Sequence, residues 1–252
     1  MSLRYVLCEG PDDLTALREI GLHAFGAQMD RQSSQRGAGA GGEARKALLR
    51  TAAARIEIVA GRSGKSALPK EIAAYLAQLP PQIEPQGEAT VANLAVVFDP
   101  DGDPEASFHR DIEKTVVAQA TDWTLAPKSP GAWTATRQLG EVVELVAIPW
   151  RAPGGVVDGL PDYRNLERVL CAVLARAYQA EAAIVERWLT EIQSRKPAWK
   201  AALHLWCALV DEKATELNVA ARVLHQNTAC RPHALDVLRE AGVLADLQPL
   251  FT

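Results

Sequence analysis

With 252 residues, 48% of them hydrophobic, and a formal charge of −4, the chain can build one large domain or two small ones around a real core. That charge argues against a generic nucleic-acid coat, while leaving room for a local basic surface. No stretch has the apolar length needed to span a bilayer, and the opening MSLRYVLCEGPDD puts acids where a signal peptide needs its apolar core. The expectation is a soluble, cytoplasmic protein. Its cysteines Cys8, Cys171, Cys207 and Cys230 form no close pair, which points to reduced thiols.

In chain order, Leu3 to Cys8 is a short β-type run ending at Glu9-Gly10, and Pro11-Asp12 open a helical pattern carrying Leu14, Leu17 and Leu22. Residues 27–42, AQMDRQSSQRGAGAGG, read as a mobile insertion. A helix is predicted over Glu43–Ala54 and a strand over Arg55–Ala60. Between Arg31 and Lys70 there are nine basic and two acidic residues, which leaves the rest of the chain at −11. Either a polyanion-facing side or a solvated helix face has this look.

Gly61-Arg62-Ser63-Gly64-Lys65-Ser66 follows that strand and precedes a helix predicted to run to about Leu79. A phosphate-binding P-loop needs four residues between its first Gly and Gly-Lys-Ser. Here there are two, and Val59 stands where that Gly would fall, so an ATPase is a poor reading. Backbone amides at a helix start can still cradle a phosphate, with Arg62, Lys65 and Ser66 as its partners. A plain strand-to-helix turn is the alternative.

The stretch around which the chain is organised is Val91 to Asp103, VANLAVVFDPDGD. Its apolar run fits a strand buried on both faces, as in a parallel sheet covered by helices. Asp99, Asp101 and Asp103 then fall just beyond the carboxyl end of that strand, where such sheets bind ligands. Carboxylates this close raise one another's pKa unless a cation joins them. Hard oxygen donors imply Mg²⁺ or Mn²⁺. The competing reading is that one of them merely caps the next helix. Glu9 ends another predicted strand, so adjacent parallel strands would bring it within metal-bridging distance of the Asp cluster.

A calcium EF-hand loop from Asp99 would require Gly and Glu where Pro104 and Arg110 stand. Haloacid-dehalogenase-type phosphatases resemble Phe98-Asp99-Pro100-Asp101-Gly102, but have Thr where this chain has Asp103, and they need more strands than the one expected after it.

Beyond the acids, Phe108–Ala120 reads as a helix, with His109 on its first turns. Asp122–Gly140 has no clear regular structure, Val142–Pro149 is a strand, and Trp150–Leu160 is a Gly/Pro linker. Everything after Pro161 has helical periodicity, with Asp162 as a cap. His204-x-x-Cys207 and Cys230-x-x-His233 have zinc-like spacing, although their apolar helical surroundings favour ordinary core positions.

Two of these motifs together carry a resemblance. Glu9-Gly10-Pro11-Asp12-Asp13-Leu14-Thr15-Ala16 resembles the first motif of TOPRIM domains, and Asp99-Pro100-Asp101-Gly102-Asp103 resembles the second. TOPRIM domains occur in topoisomerases, primases, recombination mediators and OLD-type nucleases. The resemblance covers residues 1–150. It implies a TOPRIM-like, Rossmann-like α/β domain over 1–150, with a mostly parallel four-stranded sheet and helices on both faces, followed by a helical domain over 161–252.

It further implies Mg²⁺-dependent phosphodiester chemistry on DNA or RNA, with Glu9, Asp99 and Asp101 catalytic. The same residues and Asp103 would bind metal, and Gly10, Asp13 and Gly61 would support them. A nuclease of the OLD type is the leading expectation. A non-catalytic scaffold that binds DNA or protein, or forms homo-oligomers through its helical region, and a dehalogenase-type phosphatase with Asp99 as nucleophile, are the alternatives.

Overall fold

The computed structural model of the chain describes residues 2–30, 46–79, 92–137, 140–154, 164–191, 199–215 and 218–252. The strands are β1 (Ser2–Cys8), β2 (Gln28–Met29), β3 (Lys46–Arg50), β4 (Ala54–Ala60), β5 (Ala92–Phe98), β6 (Trp123–Ser129), β7 (Ala132–Arg137) and β8 (Val142–Pro149). They form one eight-stranded sheet in the order β2-β3-β4-β1-β5-β8-β7-β6.

This corrects the expected TOPRIM-like, mostly parallel four-stranded sheet. The sheet is mixed: β1 pairs in parallel with β4 and β5, and β5 with β8. The other four pairings, β2-β3, β3-β4, β6-β7 and β7-β8, are antiparallel. The extra strands come from three segments for which sequence patterning predicts no strand. Part of Glu43–Ala54, expected as a helix on its Ala/Leu content, is β3, whose Ala47, Leu48 and Leu49 are buried between exposed Lys46 and Arg50. Thr51 closes the β3–β4 hairpin, its hydroxyl accepting the amides of Ala53 and Ala54. Neighbouring strands have overridden helix propensity here. Asp122–Gly140 holds the β6–β7 hairpin, whose outer strand carries Pro127 and Lys128, residues that discourage further edge pairing. Of the expected insertion, 31–42 lies outside the described residues, and Gln28–Met29 form β2.

Helices α1 (Pro11–Ala24), α2 (Leu68–Gln78) and α3 (Glu105–Gln119) accompany the sheet. After it come α4 (Leu166–Ala177), α5 (Gln179–Glu191), α6 (Trp199–Val210), α7 (Val219–Ala221), a π-turn over Arg222–Gln226, α8 (Arg231–Glu240) and α9 (Val243–Phe251).

Alternation along the strands sends side chains to two cores. On one face Leu7, Leu94, Val96, Phe98 and Leu145 meet Leu68, Ile72 and Leu76 of α2 and Phe108, Ile112 and Val116 of α3. On the other, Val6, Cys8, Ile56, Ile58, Ala95 and Val97 share a core with Leu14 and Leu17 of α1. Val169, Val173, Trp206, Val237 and Leu247 of the later helices belong to that same core. The C-terminal helices are therefore built onto the sheet face that α1 also covers. Among the described residues no helix is long and apolar enough to cross a membrane.

Candidate functional site

Glu9 follows β1 and Asp99 follows β5, and these are neighbouring parallel strands. Glu9 Oε1 accepts the Asp99 amide at 2.7 Å, and the Lys65 turn lies beside the Glu9 carboxylate. Asp101 adopts φ 54°, a left-handed conformation that Asp tolerates better than most residues.

Asp99 does not cap the helix that follows it. Its Oδ1 accepts the Leu166 amide at 2.9 Å, so it sits at the N-terminus of α4. Asn165 is the N-cap there, its side chain accepting the Arg168 amide. Arg164 and Asp101 exchange backbone hydrogen bonds at 3.3 Å in each direction, and Arg164 pairs with Glu105. The α4 entry is thus stitched along the acidic loop.

Asp13 lies in the first turn of α1, just after the end of β1. It is buried, its Oδ2 accepts the Gly10 amide at 3.1 Å, and its Oδ1 accepts Trp150 Nε1 at 2.7 Å. Gly10 has an extended φ of −157°, so no left-handed geometry demands glycine there. Gly61 is different: a Cβ would lie 3.1 Å from Cys8 O and Glu71 Oε2 and 3.3 Å from Glu9 O. The chain must be bare there to pass the end of β1.

Lys65 belongs to a 3-10 turn, Lys65–Ala67. Its Nζ lies 3.2 Å from Pro100 O, 3.4 Å from Asp101 Oδ2 and 3.2 Å from Asp103 Oδ2. Arg62 and Ser66 are exposed and have no such reach. The Arg62 amide donates to Glu71 Oε1 at 2.9 Å. Pro69 is near the start of α2 and removes one of the amides that a phosphate cradle would use.

Burial dominates the electrostatics. It raises Asp99 well above the ordinary carboxyl range, reinforced by the charges of Asp13, Glu167 and Glu9 and opposed by the Leu166 amide. Glu9 is raised by burial, against the Asp99 amide and Lys65. Asp13 is pushed up to about 7 by burial, with Glu9 and Glu167 adding and the Trp150 hydrogen bond opposing. Glu167, in the first turn of α4, is raised by burial and by Asp12 and Asp101. Burial depresses Lys65, but Asp103 and Asp101 outweigh it and leave its pKa raised.

Sequence reasoning missed Trp150, the Leu166 amide, Arg164 and Glu167. All but Trp150 cluster at Asn165, where the N-cap pattern Asn165-x-x-Arg168 was the available signal. Asp162, the expected cap, is outside the described residues.

Among the described residues no three His, Cys, Asp or Glu side chains converge on a point able to hold a metal ion. That includes the zinc-like pairs His204/Cys207 and Cys230/His233. The acidic loop instead holds a cation of its own: the Lys65 ammonium is surrounded by two carboxylates and a carbonyl oxygen. Those donors are hard oxygens of the kind Mg²⁺ and Mn²⁺ take, but in this structure they close on the ammonium and form no divalent-cation site.

No family model and no curated protein matches the chain. Among solved structures, the hypothetical protein PH0156 from Pyrococcus horikoshii OT3 is similar over 100% of both chains, with a TM-score of 0.66 at 15% identity. A glyoxalase/bleomycin resistance protein from Albidiferax ferrireducens T118 matches 59% of this chain and 98% of its own at 10% identity, with a TM-score of 0.18. For a lactoylglutathione lyase from Agrobacterium tumefaciens the figures are 58%, 92%, 14% and 0.18. Scores that low carry no argument about this chain. The likeness to the Pyrococcus protein extends to the fold and not to an activity.

Proposed function

We propose that the protein carries out divalent-cation-dependent phosphodiester chemistry on a nucleic acid, as a nuclease acting in the cytoplasm. The observation that carries this reading is the contact between Glu9 and Asp99 at the ends of adjacent strands, with Asp101, Asp103 and Lys65 on loops at the same edge.

Glu9, Asp99 and Asp101 are the residues that would have to draw together around Mg²⁺ or Mn²⁺, with Asp103 at the exposed rim. The cation, when bound, polarises a phosphate oxygen and acidifies a water. The chain's own residues do the rest. Glu9 is held by the Asp99 amide and can receive a proton from an attacking water, since burial raises its basicity. Asp99 keeps one oxygen on the Leu166 amide. Lys65 is the cation within reach of a phosphate at this edge.

A dehalogenase-type phosphatase needs Asp99 as a free nucleophile. The burial and raised basicity of Asp99, together with its bond to the Leu166 amide, count against that role.

The test is calorimetric titration with Mg²⁺ and Mn²⁺ of the wild type, Glu9→Gln and Asp99→Asn, with cleavage of plasmid and single-stranded DNA and of RNA followed alongside. Loss of cation uptake and cleavage in both variants supports the reading. Nucleic-acid binding with neither cation uptake nor cleavage would replace it with a non-catalytic scaffold.

A further inference from the structure

Helix α1 meets the C-terminal helices through a pair of histidines. His23, in the last turn of α1, and His225, in the π-turn over Arg222–Gln226, lie face to face, with ring centroids 3.4 Å apart and planes 10° from parallel. Ten helical residues separate His23 from Asp13, about 15 Å along the axis. π-turns are rare and recur at functional positions.

The charges that reach the pair come from α1 and α8. On α1, Glu19 is buried. Its Oε2 lies 3.3 Å from His23 Nε2, and its Oε1 accepts the Arg18 guanidinium at 2.7 and 3.1 Å. On α8, Arg231 Nε donates to the His225 carbonyl oxygen at 3.0 Å. A charge on His23 therefore meets an anion, whereas a charge on His225 meets His23 and Arg231. Burial lowers the His225 pKa from its ordinary 6.5, His23 and Arg231 lower it further, and Glu19 opposes them. Neutral rings stack at this distance without penalty; two imidazolium rings repel. The π-turn is tied down at both ends, by Arg222 on Asp211 at 2.8 and 3.0 Å and by Asn227 on Tyr178 and Asp211. Between those ends the histidine stack and the buried Val223 and Leu224 hold it.

We propose that the stack of His23 on His225 is an acid-sensitive latch, which docks the π-turn on α1 while at most one ring is charged and frees the turn when both are. As pH falls below the ordinary histidine value, the open turn takes up a proton that the closed turn refuses, so acid favours opening. His225 then leaves His23, while Arg222 and Asn227 keep the ends of the turn in place. The sign is opposite to that of Asp13, whose raised pKa makes acid stabilising. A local loss of protection on acidification is therefore the mark of the latch.

The experiment is hydrogen–deuterium exchange of the full chain, read by mass spectrometry at about pH 7.5 and about pH 5 and corrected for the intrinsic exchange rate. It follows peptides over residues 219–230 in the wild type, His225→Phe and His225→Gln. Phe keeps a flat ring on His23 and Gln a neutral polar group, and neither takes up a proton. Circular dichroism confirms that the variants are folded, and His23→Phe, which removes the other charge, replaces either one that is not. Wild-type protection over 219–230 should drop about 5- to 10-fold at the lower pH, while peptides from β1 and β5 stay as protected as before or gain protection. In the variants the drop should shrink to less than about 2-fold. An unchanged wild-type segment, or an equal acid-induced loss in the folded variants, overturns the latch.

Discussion

Asp99 meets two opposed demands. Burial among Asp13, Glu167 and Glu9 favours its protonated form, and the Leu166 amide favours its charge. Leu166 is the first residue of α4, where proline is well tolerated, and Asn165 before it is already extended at φ −146°, ψ 166°. Leu166→Pro should therefore keep the helix and delete one hydrogen bond to a carboxylate, worth about 1.5–3 kcal/mol. Leu166→Ala, which keeps the amide and loses only packing, is the control. In denaturant titrations with and without Mn²⁺, the Pro variant should lose more of the cation-dependent stabilisation than the Ala variant.

Asp13 supplies a pH signature at the same scale. Its folded-state pKa, about 7 against an ordinary 3.8, lies above the unfolded value. The folded protein thus holds a proton that the unfolded chain gives up. The resulting penalty is absent below pH 3.8, grows as pH rises and is complete above 7, amounting to roughly 4 kcal/mol at most. Glu9, Asp99 and Glu167 are shifted in the same direction. Urea midpoints should fall between pH 5 and 8 in the wild type and fall less in Asp13→Asn.

At the scale of elements, the passage of the chain from β4 to α2 decides where Lys65 lies. Gly61→Ala would press a methyl group on Cys8 O, Glu9 O and Glu71 Oε2. Two of those atoms are backbone and cannot turn aside. A loss of about 1–3 kcal/mol is expected from thermal or denaturant unfolding, with weaker phosphate binding as the Lys65 turn shifts. The strands that read plainly in sequence, over Leu3–Cys8, Arg55–Ala60 and Val142–Pro149, are β-branched or apolar runs closed by turn residues. Lys46–Arg50 and Trp123–Arg137 did not read plainly. Their short, half-exposed strands owe their form to pairing with β4 and β8, which no local window contains.

Across the whole molecule, the sheet and the later helices meet in one core. Trp206 of α6, Val173 of α4 and Leu247 of α9 belong to the same buried cluster as Ile56, Ile58 and Val97. Unfolding followed by far-ultraviolet dichroism and by tryptophan fluorescence should give coincident transitions. Trp206→Ala should cost about 3–5 kcal/mol and shift both probes together. Two separated transitions would show that the helices unfold on their own.

Taken alone, the sequence determined where two of the central strands end and which acids follow them. Strand periodicity ends at Glu9 and at Asp99, and the turn residues Gly10, Pro100 and Gly102 fix those ends locally. It did not determine the size or direction of the sheet, because pairing at the edges depends on partners far along the chain. Nor did it reveal the Trp150 indole on Asp13, the α4 amide on Asp99, or Lys65 lodged between Asp101 and Asp103. Those contacts join residues 137, 67 and up to 38 positions apart. Only the closed tertiary structure, in which burial turns each stray carboxylate into a cost that must be met by some distant donor, brings them together.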